Sequence, residues 1–197
     1  MGEIKSAREI AMEKIEKLGE PTEEERLEWK YVPEGEKLAA KYLKQEAELL
    51  PELNKYDKKA LKYVIKGLNS VLIKNIILPE NEAAKRTSKL AIDGIKAIKT
   101  DKLRVEAVIN QIRHLFNHYA ENGEKQRKQA YNALKKDFQA KLEQALRQQM
   151  GSNAANFRID VEMQPQFQEE WRRLKSQLDS QYLQLLDEYK QELEALA

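Results

Sequence analysis

The chain has 197 residues, no cysteine, 35% charged residues and a net charge of +2. The lack of cysteine excludes disulfides, thiolate metal centres and cysteine nucleophiles. The N-terminus has no apolar signal-peptide core, and the richest apolar run, VLIKNIIL at 71–78, is interrupted by Lys74 and too short to cross a bilayer, so a soluble cytoplasmic protein is expected.

In chain order, Ile4, Ala7, Ala11, Ile15 and Leu18 mark one face of a first helix, stopped by Gly19 and Pro21. Thr22 and Glu25 form a capping box for a short second helix carrying Leu27 and Trp29, which Pro33 and Gly35 are expected to end. A third helix is read from about 35 to 50, with Leu38, Tyr42 and Leu49, closing at Pro51. Asp57 caps a fourth, whose inner face is Leu61, Val64, Ile65, Leu68, Leu72 and Ile76. Its end, 71–78, is rich in β-branched residues and fits either helix or strand; helix is the reading taken here.

After Pro79, a fifth helix is read from Asn81 to Lys99, with Leu90, Ala91, Ile95 and Ile98 inward. Thr100 or Asp101 caps a sixth, in which Val105, Val108, Ile109, Ile112, Leu115, Phe116 and Tyr119 share an arc, with its end expected at Asn122 and Gly123. Amphipathic helices joined by short turns describe a helical bundle, placed at residues 1–122.

Residues 123–197 read differently, as a long helical hairpin. Glu124–Met150 holds no Gly or Pro and carries Tyr131, Leu134, Phe138, Leu142 and Ala145 as a stripe. Beyond Pro165 a helix runs to the C-terminus with Phe167, Trp171, Leu174, Leu178, Tyr182, Leu185, Tyr189, Leu193 and Leu196 on one side, each recurring at eleven residues. That repeat corresponds to a straight or gently right-handed seam. Between the helices, Phe157, Ile159, Val161 and Met163 alternate with Arg158, Asp160 and Glu162, the spacing of a short strand over 157–163. The expected fold is therefore all-α with one short β-strand in the hairpin connection.

A lone strand needs a partner for its backbone, and a two-helix hairpin leaves its aromatic residues thinly covered. Antiparallel pairing of the strand with a second copy would answer both needs; addition to the sheet edge of another protein is the competing reading. The expected interface of a homodimer is thus Phe157, Ile159, Val161, Met163, Phe167, Trp171, Leu174, Leu178 and Tyr182.

Candidate chemistry is sparse. Among 197 residues there is no phosphate-cradling glycine run and no GxSxG elbow, and neither an enzyme activity nor a cofactor is expected. His114 and His118 share a helix face with Glu121 nearby, a ligand set suited to zinc or iron, but both histidines point away from the apolar arc and no functional metal site is assigned to them. Charge is segregated: residues 54–104 hold 13 Lys and Arg against 5 Asp and Glu, while residues 1–53 hold 9 against 14. This pattern fits either acidic ends folded on a basic middle or a patch for an anionic partner. For the second reading, Lys55, Lys58, Lys59, Lys62, Lys85, Arg86 and Lys89 are the candidate anion-binding residues, and a nucleic-acid or ribosome-associated binding protein working through residues 54–104 is the alternative function.

The opening MGEIKSAREIAMEKIEKLG and the closing PQFQEEWRRLKSQLDSQYLQLLDEYKQEL resemble an uncharacterised bacterial family, a domain of unknown function. The resemblance implies a bacterial cytoplasmic setting and carries no activity or functional residue with it. A non-enzymatic scaffold or adaptor is the functional expectation.

Overall fold

The computed structural model describes residues 21–150 and 160–196. The first predicted helix lies outside them. The chain divides into two compact units, Met1–Lys74 and Asn75–Ala197, and among the described residues all regular structure is helical.

In the first unit, α1 spans Glu23–Leu43, α2 Leu49–Leu53 and α3 Lys58–Lys74. The predicted capping box starts α1: the Thr22 hydroxyl accepts from the Glu25 N–H at 3.2 Å, and the Glu25 carboxylate accepts from the Thr22 N–H at 2.8 Å. The expected stop at Pro33 and Gly35 does not occur, and one helix replaces the predicted second and third. Proline forfeits one backbone bond inside a helix, but the continuous helix gains a close contact with α3. A Cβ on Gly35 would lie 2.0 Å from the Val64 carbonyl oxygen, and one on Gly67 would lie 2.1 Å from that of Val32. The two glycines let the backbones touch, and Leu38, Ala39, Val64 and Leu68 are buried beside them.

Helix α1 ends earlier than Pro51, at a turn in which Gln45 takes φ 62°. The Glu46 N–H donates to the Lys41 carbonyl at 2.9 Å and that of Gln45 to Tyr42 at 2.8 Å, the bond pair of a Schellman turn. Pro51 instead falls in the first turn of α2, where a missing N–H costs no helical bond. Asp57 caps α3 as expected, accepting from Ala60 N–H at 2.8 Å. The helical reading of 71–78 holds only to Lys74; a turn follows at Asn75 and an irregular connector at 76–79.

In the second unit, Ser88 fixes that connector, its hydroxyl donating to the Ile77 carbonyl (2.8 Å) and accepting from the Ile77 N–H (3.0 Å). Helix α4, Glu82–Ile98, is capped by Asn81, and α5, Lys102–His118, by Asp101. The expected end at Asn122 and Gly123 is instead a π-helical turn, Tyr119–Gly123, through which the chain continues directly into α6, Glu124–Met150. Gly123 is used for space: a Cβ there would lie 3.0 Å from an Arg127 guanidinium nitrogen and 3.4 Å from the Tyr182 hydroxyl.

The final helix, α7, spans Pro165–Ala195 with proline in its first turn. It runs antiparallel to α5–α6: the Phe167 ring meets Tyr131 and Phe138 edge-on with centroids 5.5 Å apart, and Tyr182 meets Tyr119 at 5.1 Å. Lys99, buried, ends the seam by donating to the carbonyls of Leu196 (2.5 Å) and Glu194 (3.5 Å), the α7 C-terminus.

The predicted strand is corrected. Phe157 and Ile159 lie outside the described residues, while Val161–Met163 form a 3-10 turn. The Asp160 carboxylate accepts from the Glu162 N–H at 3.0 Å, and the Gln164 N–H closes on the Val161 carbonyl at 3.1 Å. These local bonds compete successfully with extension. Val161 is buried and Met163 is 72% exposed, so they do not share a face as alternate strand residues would.

Candidate functional site

Two features of the second unit could serve function. One is the outer part of the hairpin, α6 against the start of α7; the other is the π-turn.

Along the hairpin, Tyr131 stands between Phe167 and Trp171, its ring edge-on to both, at 5.5 and 5.0 Å. Glu162 pins the 3-10 turn to α6 by accepting from the Tyr131 hydroxyl (2.8 Å) and Lys135 Nζ (2.5 Å). The Lys135 bond holds the Glu162 carboxyl below its ordinary range, and Glu162 in turn raises the pKa of both partners. Yet no side chain from Glu124 to Gln148 is buried. Tyr131, Leu134, Phe138, Leu142 and Leu146 are all half-covered. A pair of helices buries one seam and leaves the flanks of that seam wet.

Of the expected interface residues, Val161, Phe167 and Tyr182 are buried within the chain itself, Trp171, Leu174 and Leu178 are half-buried, and Met163 is exposed. The eleven-residue repeat fails on one side. Leu185 is 41% exposed, while Leu186 and the carboxylate of Asp179 take the buried line.

Asp179 of α7 faces the π-turn. Its carboxylate accepts from Arg127 at 3.0 Å, with both side chains largely shielded, and receives the Tyr119 hydroxyl at 3.5 Å. The Arg127 guanidinium lies 4.1 Å from the centre of the Tyr119 ring and donates to the Tyr119 carbonyl in the π-turn at 3.5 Å. Burial, together with the Asp179 charge, pushes the Tyr119 hydroxyl from 10.0 up to about 12, against the opposing pull of Arg127. Next to it His118 Nδ1 is 3.0 Å from the Tyr182 hydroxyl. A groove of about 910 Å³ opens here, lined by His114, His118, Glu121, Tyr182, Tyr189 and several Asn and Gln side chains. Both histidines are exposed as expected, and among the described residues no three His, Asp or Glu side chains gather as metal ligands.

Sequence reading missed Asp179 and Arg127 because it tracked apolar stripes; the available signal was an acidic residue next to a core position, facing a basic helix.

The candidate anion-binding residues fall in both units. Lys55 pairs with Glu52 (2.6 Å), Lys59 with Glu23 (3.4 Å) and Lys85 with Glu82 (2.7 Å). Lys62 lies 5.7 Å from the Tyr63 ring, and Lys58, Arg86 and Lys89 are exposed. Among the described residues no helix is long and apolar enough to cross a membrane.

DUF6657, a family of unknown function, matches residues 50–195, and the chain belongs to that family. The match takes in the closing block that carried the resemblance and excludes the opening one. No curated protein and no solved structure matches the chain.

Proposed function

We propose that the protein is a non-enzymatic helical scaffold or adaptor that self-associates through the outer face of the α6–α7 hairpin. The observation that carries this reading is the state of α6, a helix of 27 residues with an apolar stripe and no buried side chain over 124–148. Helical stability in proteins comes mostly from burying such a stripe, so a third layer is called for. A second copy supplies it by placing hairpin on hairpin as a four-helix arrangement about a two-fold axis. At about 40 Å long and roughly 20 Å wide, the face offers on the order of 800 Å² per copy, the usual size of a stable interface. Strand pairing has no part in this arrangement.

Light scattering behind a sizing column tests it. The wild type is expected at twice the chain mass, and the double variant Leu142→Asp, Leu146→Asp at the chain mass with its helical circular dichroism retained. A monomeric wild type, or a variant that stays dimeric, refutes self-association by this face.

A further inference from the structure

We propose that the cleft between α4 and α5 is a binding site for a small amphipathic anion, an aromatic or short acyl group bearing a carboxylate or phosphate. The proposal does not depend on self-association of the hairpin.

The cleft is assembled from two opposed helix faces. Helix α4 contributes Lys85, Ser88, Lys89 and Ile92, and α5 contributes Arg113, Phe116 and Asn117, continued one turn on by Ala120 of the π-turn. Each set has the i, i+3, i+4, i+7 spacing of a single face, and the antiparallel pairing brings Lys85 and Lys89 to the same end as Phe116. Pro79 completes the lining there, its connector held by the two Ser88 bonds to Ile77. The cleft measures about 410 Å³, within the roughly 300–1,000 Å³ typical of small-ligand sites.

Its walls divide by chemistry. Ile92, Phe116, Ala120 and Pro79 give an apolar interior, and the Ser88 hydroxyl does not disturb it because both its bonds go to the backbone. The rim is cationic, with Lys85, Lys89 and Arg113 against the single carboxylate of Asp93 among the lining residues. Two of these cations are already shared: Lys85 with Glu82, and Arg113 with Glu106 at 2.9 Å. Lys89 makes no ion pair among the described residues and is the cation left for a ligand. An apolar interior under a free cation selects an anion with an apolar body over either inorganic phosphate or a neutral hydrocarbon. The volume suits a small molecule, and Arg86, which would extend the charge for a long polyanion, lies outside the cleft.

The probe is the aromatic sulfonate 8-anilinonaphthalene-1-sulfonate, titrated by fluorescence, with phenyl phosphate and inorganic phosphate as competitors. One probe per chain is expected, displaced by phenyl phosphate and not by inorganic phosphate at equal concentration. Lys89→Glu, at an exposed position where folding is unaffected, should weaken the probe roughly tenfold. Phe116→Leu should weaken both the probe and phenyl phosphate, while Lys62→Glu in the first unit should change neither. Equal affinity in wild type and Lys89→Glu, or equal displacement by the two phosphates, overturns the proposal.

Discussion

Tyr119 lies where the helix widens, with its ring beneath Arg127 and its hydroxyl 3.5 Å from Asp179. Because burial raises its pKa from 10.0 to about 12, the unfolded chain releases this proton as pH passes 10 while the folded chain holds it until about 12. Over that window the unfolded state binds fewer protons, so stability falls with rising pH and levels off above the folded value. The loss from this group is on the order of 2–3 kcal/mol. Tyr119→Phe should cost about 1 kcal/mol at pH 8 and then show a shallower alkaline decline than wild type. Urea midpoints at pH 8, 10 and 11.5 measure both, and parallel declines would exclude Tyr119 as the titrating group. The residues around it were only partly legible. His118 is exposed and Tyr119 buried, as the apolar spacing of their helix predicts, whereas the Arg127–Asp179 pair leaves no mark in apolar spacing. A buried ion pair earns its place through its partners, and partner identity across 52 residues is not written in local periodicity.

Helix starts were legible where an N-cap side chain closed a bond to the first turn, whereas the equally local bond from Glu162 N–H to Asp160 holds a 3-10 turn where a strand was expected. The expected caps at Thr22 and Asp57 form, Asp101 rather than Thr100 caps α5, and Asn81, expected as the first residue of its helix, caps α4; each is decided within four residues. Boundaries read from glycine and proline were lost where tertiary contact decided instead: α1 runs through Pro33 and Gly35, and the helix continues through Gly123. In both cases the glycine serves close packing rather than a stop. The α1–α3 crossing makes this testable. Gly35→Ala and Gly67→Ala each gain about 1 kcal/mol in intrinsic helix propensity, yet each new methyl group would meet a carbonyl of the opposite helix near 2 Å. Backbone atoms cannot rotate aside as a side chain can, so the helices must separate and release Val64 and Leu68 from their packing. Each substitution is expected to destabilise by about 2–4 kcal/mol net, read as a lower urea midpoint of the helical circular dichroism signal. A gain in stability would show that the helices can part at little cost.

Across the whole molecule, the segregated charge resolves into complementary helix pairs within each unit. Helix α3 carries five lysines and no carboxylate, and α1 carries six carboxylates against four cations; Lys59 meets Glu23 and Lys66 meets Glu28 between them. Helix α6 holds seven cations against three carboxylates, α7 four against seven, and Arg127–Asp179 joins them. This favours internal complementarity over a polyanion surface. The exposed pairs stabilise little individually, but each one places a carboxylate where a phosphate would have to approach. A surface making six or more phosphate contacts would lose about 10³–10⁵ in affinity between 50 and 200 mM salt. Fluorescence anisotropy with a labelled oligonucleotide should instead show weak binding at 50 mM salt and a log–log salt slope shallower than about −2. A steep slope that Lys58→Ala and Lys62→Ala reduce would restore the nucleic-acid reading, because those two lysines are exposed and make no ion pair among the described residues, so phosphates could meet them without displacing a carboxylate.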